Sequence, residues 1–182
     1  MHNIDTVKGP SFSLKNRLAR VLWNVVSFFI FRLTPNPLHK WRAFVLRVFG
    51  AKVGKSVHVY PRVKIWAPWN LTLGDECGIA NGVTLYAQGQ IAIGKRTVIS
   101  QGAHLVAGTH DYTKKGFPLY TMPITIKDYV WIAAETFIHP GIEIGEGAVI
   151  GARSVVTKNQ PPWMVCAGHP CKPIKARIIN DL

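Results

Sequence analysis

The chain has 182 residues, 48% of them hydrophobic and 17% charged, with a net charge of +13. That length suits one compact domain with a smaller attachment, and that hydrophobic content argues against a disordered chain. Three cysteines, Cys77, Cys166 and Cys171, cannot close a disulfide framework, so a reducing, cytoplasmic setting is expected.

The positive charge is concentrated at the two ends. Residues 1–64 carry Lys8, Lys15, Arg17, Arg20, Arg32, Lys40, Arg42, Arg47, Lys52, Lys55, Arg62 and Lys64 against one acid, Asp5. Lys172, Lys175 and Arg177 form a second cluster. Such charge suits nucleic acid, an anionic membrane or a phosphorylated ligand. No helix-turn-helix, zinc-ligand spacing or aromatic RNA-binding strand accompanies it, so nucleic acid is not the expected partner.

In chain order, residues 1–12 read as a loose N-terminus. Residues 13–33 read as a helix with Ser11 or Ser13 as N-cap. Its apolar run, Val21 to Phe31, falls short of the ~20 residues that span a bilayer. The following RLTPNP offers no small-residue cleavage site for a signal peptide. Pro35 and Pro37 break the helix, and a second amphipathic helix runs from Leu38 to Phe49, with Gly50 placed as its C′ residue. Residues 1–52 therefore form a helical segment. Its aromatic residues between basic flanks suit either a cap over an open core or peripheral contact at the inner face of a membrane.

From residue 53 a six-residue beat takes over. It is irregular through Val53, Val59 and Ile65, then regular at Leu73, Ile79, Leu85, Ile93, Ile99 and Leu105, and again at Ile126, Ile132, Ile138, Ile144, Ile150 and Val156. A helix needs a spacing near 3.6 and a lone strand a period of 2. Six fits a short strand and a tight corner, three of which make one coil of a parallel β-helix with a buried aliphatic ladder. A β-sandwich would not keep phase for so long. Gly after the ladder residue, and Asp75, Asn81 or Asp128 at corners, suggest positive φ at those positions. Residues 53–162 are the β-helix domain and 163–182 a basic tail.

One large break interrupts the beat. Asp111 stands where an aliphatic residue is due, and the pattern resumes only at Ile126, so residues 111–123 form a loop extruded from a corner. His110 stands where the wall gives way to that loop. An imidazole, with an ordinary pKa near ~6.5, is a natural general base. Asp111 beside it either fixes the tautomer or serves as a corner residue. His58, His104 and His139 fall where side chains face outward.

The repeats, followed by GTHDY, the loop, PITIKDYVWIAAETFIHPGIEIGEGAVIGARSVVTK and AGHPCKPIK, resemble the hexapeptide-repeat O-acetyltransferases. The segments SLKNRLARVLWNVV and LHKWRAFVLRVFGAKVG resemble the colanic acid biosynthesis group within that family. The resemblance implies an all-β fold, a left-handed parallel β-helix with N-terminal α-helices, and a homotrimer with sites between subunits. It also implies acetyl-CoA as co-substrate, a sugar or lipid-linked oligosaccharide as acceptor, and no metal. His110 matches the catalytic histidine. Trp131, Ala133, Ala134, Gly151, Ala152, Thr157 and Lys158 match positions that meet coenzyme A. Lys172 and Lys175 match tail positions commonly held by Arg, where Lys keeps the charge but loses the bidentate fork. Asn81 lies near the position of an acceptor-contacting Asn. Two alternatives stand beside this reading: a non-catalytic β-helix scaffold or ligand-binding protein, and a metal-dependent hydratase, which would need three histidines at a subunit seam.

Overall fold

The computed structural model describes residues 9–179; the expectations for residues 1–8, including Asp5 and Lys8, lie outside them. Two helices lead into a parallel β-helix. Helix α1 (Leu14–Val26) starts at Ser13, whose Oγ accepts from the Asn16 N–H at 3.3 Å. It runs on into a π-helical turn, Ser27–Arg32, and α2 covers His39–Val48. Gly50 follows with φ +86°, as a C′ residue requires.

Five coils then stack. The first holds β1 (Lys52–Val53), β2 (His58–Val59) and β3 (Lys64–Ile65); the second β4 (Leu71–Leu73), β5 (Gly78–Ile79) and β6 (Thr84–Tyr86). The third holds β7 (Ile91–Ile93), β8 (Val98–Ile99) and β9 (His104–Val106). After an excursion, β10 (Gly108–His110) and β11 (Leu119–Thr121), the fourth holds β12 (Ile124–Ile126), β13 (Trp131–Ile132) and β14 (Phe137–Ile138). The fifth holds β15 (Glu143–Ile144), β16 (Val149–Ile150) and β17 (Val155–Val156). Like strands pair in parallel and in register, so Ile79, Ile99, Ile132 and Ile150 form one internal ladder, all fully buried. Where two extra residues precede a coil, as at Ile91 and Ile124, the strand lengthens to three and buries both aliphatic side chains.

The corners correct the sequence reading. Gly74 and Gly94 are needed for room, not for φ: a Cβ on Gly74 would sit 2.5 Å from the Lys95 nitrogen, and one on Gly94 2.6 Å from the Asp128 nitrogen. Positive φ falls later, at Glu76, Gly82 and Tyr129. Asp75, Asn81 and Asp128 instead stitch coils together. Their side-chain oxygens accept from the N–H groups of Lys55, Arg62 and Lys95 on the preceding coil at 2.7, 3.0 and 2.8 Å.

Both ends are closed. Trp23 is 1% exposed and donates its indole N–H to the Ile65 carbonyl at 2.7 Å, so α1 lies on the first coil. Arg42 is fully buried without an acid: Nε donates to the Val59 carbonyl (2.6 Å), and the other nitrogens donate to Thr34 Oγ1, Pro35 O and Asn36 O. At the far end, the expected basic tail is instead a hairpin. Strand β18 (Met164–Gly168) pairs in parallel with β16 and opens a sixth level, and β19 (Cys171–Ala176) runs antiparallel along its edge. Arg177 fastens it through the Tyr129 and Gly147 carbonyls, both at 2.8 Å. All three cysteines are buried and unpaired, and burial pushes the Cys77 thiol up to about 12.

Candidate active site

The extruded segment is a β-hairpin, with His110 opposite Leu119 and Gly108 opposite Thr121, so the loop proper is shorter than expected, 111–118. The hairpin turns the chain back so that the Phe117 carbonyl lies 2.6 Å from His110 Nδ1. A carbonyl only accepts, so Nδ1 is the donor, and in the neutral ring Nε2 holds the lone pair. No described residue is bonded to Nε2.

Asp111 does not take the tautomer-fixing role. Its Oδ1 accepts from the Thr113 hydroxyl at 2.6 Å and the Thr113 N–H at 3.1 Å, and Oδ2 lies 3.5 Å from Lys114 Nζ. The Thr113 hydroxyl, then its N–H and Lys114, hold the Asp111 carboxyl below its usual range. Its work is to shape the first turn of the loop.

His110 lines a cleft of about 300 Å³ with Arg17, Arg20, Phe12, Gln88 and Leu119. A neighbouring cleft of about 710 Å³ lies between the start of α1 and the hairpin, lined by Asn16, Asp111, Lys114, Tyr120 and others. Arg20 is held over the Trp66 ring at 4.0 Å, and Phe12 packs on the same ring at 4.7 Å. Gln88 donates to the Tyr86 hydroxyl at 3.2 Å, while its Oε1 is buried with no hydrogen-bond partner among the described residues. Arg17, Arg20 and Gln88 were missed from sequence. The one available signal was Gln88's place shortly before the two-residue insertion of Ile91 and Ala92. The arginines sit on a helix whose docking the sequence does not specify.

The other candidates lie on different corners. Trp131 is half exposed on β13, and its indole N–H donates to Ser100 Oγ at 3.0 Å. Beyond it, Ser100, Ala133, Gly151 and Ala167 occupy one corner at successive levels, joined by the bonds Ser100 N to Ile132 O, Ala133 N to Ile150 O and Gly151 N to Cys166 O. A Cβ on Gly151 would stand 2.8 Å from that of Ala167. This small-residue edge leaves room for a slim chain along the wall, with Ala134 and the exposed Ala152 beside it. Lys172 lies opposite Ala167 and Lys175 opposite Val165, so both ammonium groups flank the end of that edge, exposed. Thr157 and Lys158 leave β17 at the same corner line from which His110 departs after β9, and both are exposed. Asn81 sits at the corner between β5 and β6 with its oxygen engaged by Arg62, the structural role of a corner residue. His58 and His104 are exposed and His139 partly so. Among the described residues no three His, Cys, Asp or Glu side chains converge as metal ligands would.

The chain thus carries His110 on one corner line and the small-residue edge on another. Comparison with known proteins gives this arrangement its class. Residues 123–158 match the model for the bacterial transferase hexapeptide (six repeats), and residues 71–87 match the hexapeptide repeat of succinyl-transferase. The protein named colanic acid biosynthesis acetyltransferase WcaF from Escherichia coli (strain K12) is 45% identical over 166 residues, 91% of each chain. A maltose O-acetyltransferase from Clostridium difficile 630 superposes with a TM-score of 0.83 at 28% identity, over 90% of this chain and 89% of that one. A galactoside acetyltransferase solved in complex with coenzyme A gives 0.83 at 28% identity, over 93% and 86%. The chain belongs to the hexapeptide-repeat acetyltransferases. Its fold is the all-β, left-handed parallel β-helix of that family, with N-terminal helices.

Proposed function

We propose that the protein transfers an acetyl group from acetyl-CoA to a hydroxyl of a sugar in exopolysaccharide biosynthesis. The observation that carries this is His110: its Nδ1 is held by the Phe117 carbonyl, and it lines a cleft beside Arg17, Arg20 and Gln88 with no described residue bonded to Nε2. Nε2 takes the proton of the acceptor hydroxyl as that oxygen attacks the thioester carbonyl. A C–O bond forms, the C–S bond breaks, and the sulfur leaves as the thiol of coenzyme A with a proton returned to it. No covalent acyl-enzyme is needed, which agrees with three buried cysteines whose thiols burial pushes up.

The small-residue edge at Ala133 and Gly151, with Trp131 on its rim, fits the pantetheine arm; Lys172 and Lys175 at the end of that edge, and Lys158 from the corner line of His110 on a neighbouring subunit, suit the phosphates of coenzyme A. Because His110 and this edge lie on different corners, the complete site is assembled between neighbours of a homotrimer. The relative named for colanic acid biosynthesis supports an exopolysaccharide acceptor. We read that acceptor as carried on a lipid at the inner face of the membrane, where the N-terminal helices make peripheral contact. Release of coenzyme A thiol from acetyl-CoA, measured across monosaccharides and lipid-linked oligosaccharides, tests the reading. Acceptor-dependent release is the expected result, and none with any hydroxylated acceptor would overturn it.

A further inference from the structure

The two N-terminal helices close the first coil with only one side. Trp23 and Phe31 face inward, fully or almost fully buried. At 100° per residue, Leu14, Leu18, Val21, Leu22 and Val25 stand on the opposite side of α1, and each is more than half exposed. The π-helical turn continues the exposed apolar surface with Phe28 and Phe29, and α2 adds Trp41, Phe44 and Val48. The Trp41 indole N–H donates to the Ile30 carbonyl at 2.9 Å and ties the second stripe to the first. None of these outward side chains is required for the capping.

We propose that this outward face of α1 and α2 is a docking surface for an anionic lipid bilayer. An apolar patch of this extent marks an interaction site, and its rim selects the partner. Lys15 and Arg17 flank the α1 stripe on its two sides, Arg32 lies at its end, and Lys40 and Arg47 edge the α2 stripe, all exposed. Residues 9–52 contain eight Lys and Arg and no Asp or Glu. A second copy of the chain would bring the same uncompensated charge against itself, whereas anionic headgroups neutralise it while the apolar side chains enter the acyl boundary. No helix among the described residues is long and apolar enough to cross a membrane, so the helices lie in the interface plane.

Helix α1 has a further property. Its stripe faces outward, while Asn16, Arg17 and Arg20 line the clefts at His110. A docked molecule therefore holds those clefts at the headgroup layer, within reach of a lipid-borne acceptor. Only this consequence rests on the acetyltransferase reading; the docking does not.

The test is co-sedimentation of the full chain with vesicles of phosphatidylcholine alone and of phosphatidylcholine with about one-third phosphatidylglycerol. Binding to the anionic vesicles, partly released by high salt, is expected, with an about tenfold or greater fall for Leu18→Glu/Val25→Glu and a smaller one for Lys15→Glu/Arg32→Glu. These side chains are exposed, so thermal melting and thiol release with a water-soluble acceptor should match the parent protein. If the apolar variant misfolds, quenching of parent tryptophan fluorescence by brominated lipid, lost in Trp41→Phe, decides the same point. Equal binding to neutral and anionic vesicles, undiminished binding of a folded Leu18→Glu/Val25→Glu protein, or a vesicle-free change in its oligomeric state would overturn the proposal. Failure of acceptor-dependent thiol release would count against the enzyme reading alone.

Discussion

His110 Nδ1 and the Phe117 carbonyl oxygen are 2.6 Å apart, and that bond links the chemistry of the site to the conformation of the hairpin. Phe117 has φ +45° and follows Gly116 at +87°, so the acceptor for the imidazole is presented by a tight, left-handed turn. The tautomer is set by the backbone, which no side-chain motif announces.

Replacement of His110 by Ala should leave the fold intact and lower turnover by about 100-fold or more, the usual scale for loss of a general base. Asp111→Asn should behave differently. Its carboxylate serves Thr113 and Lys114, so kcat should change by less than about threefold and the pH–rate profile should keep its midpoint. Because the folded carboxyl is held below its ordinary pKa, its contribution to the hairpin is present above that ordinary value. It is lost as pH falls through the folded one. Steady-state rates between pH 5 and 9 separate the cases: a large loss with a displaced midpoint in Asp111→Asn would restore the His–Asp pair.

Much of the fold was legible because the ladder is periodic: Ile79, Ile99, Ile132 and Ile150 must stack if each coil is to bury its apolar side. The corners were half legible. Asp75 and Asp128 were recognisable as corner residues, but the six-residue spacing does not say that a carboxylate will bond the N–H of the coil beneath rather than relax its own φ. Of the site, His110 was visible by its place at the break. Arg17, Arg20 and Gln88 were not, since their meeting depends on how α1 docks, and that rests on Trp23 and Ile65, 42 residues apart. The same non-local docking explains Arg42, which read as one cation among twelve and is the buried centre of the cap.

Removing Arg42 should cost more than removing any exposed cation. Its guanidinium satisfies carbonyls at Val59, Pro35 and Asn36 together with the Thr34 hydroxyl. Arg42→Ala leaves those acceptors buried and opens a cavity, a loss of about 3–5 kcal/mol. Arg47→Ala, at an exposed position whose guanidinium donates only to the Val53 and Gly54 carbonyls in reach of solvent, serves as the comparison. Thermal or urea unfolding should show a clear drop for the first and a small one for the second; equal drops would deny Arg42 its place as the clamp.

Reversing the charge of Lys158, Lys172 and Lys175 together should raise the KM for acetyl-CoA at low salt by about tenfold or more and leave that for the acceptor nearly unchanged. Gly151→Leu should act on the same parameter by a different route, because its Cβ already meets Ala167 at 2.8 Å and the rest of the side chain must occupy the edge. The salt response distinguishes them: the charge effect fades as ionic strength rises, the steric one persists. An unchanged donor constant in both variants would remove the small-residue edge from the donor site.

The separation of His110 from that edge gives the most demanding prediction. His110 leaves the coil after β9, whereas Ala133 and Gly151 follow β13 and β16 on another sheet. If a site takes its histidine from one protomer and its edge from the next, His110→Ala and Gly151→Leu damage different halves of it. Each homogeneous variant should be impaired, but co-assembled subunits should regain activity. In randomly mixed trimers, half of the protomers offer an intact histidine and half an intact edge, so about a quarter of the heterologous interfaces are whole. Two affinity tags isolate the mixed species, in which either composition leaves one of its three interfaces whole, so its rate should approach about one-third of the parent rate. Were both halves of each site drawn from one protomer, every site would carry one lesion and mixing would recover nothing.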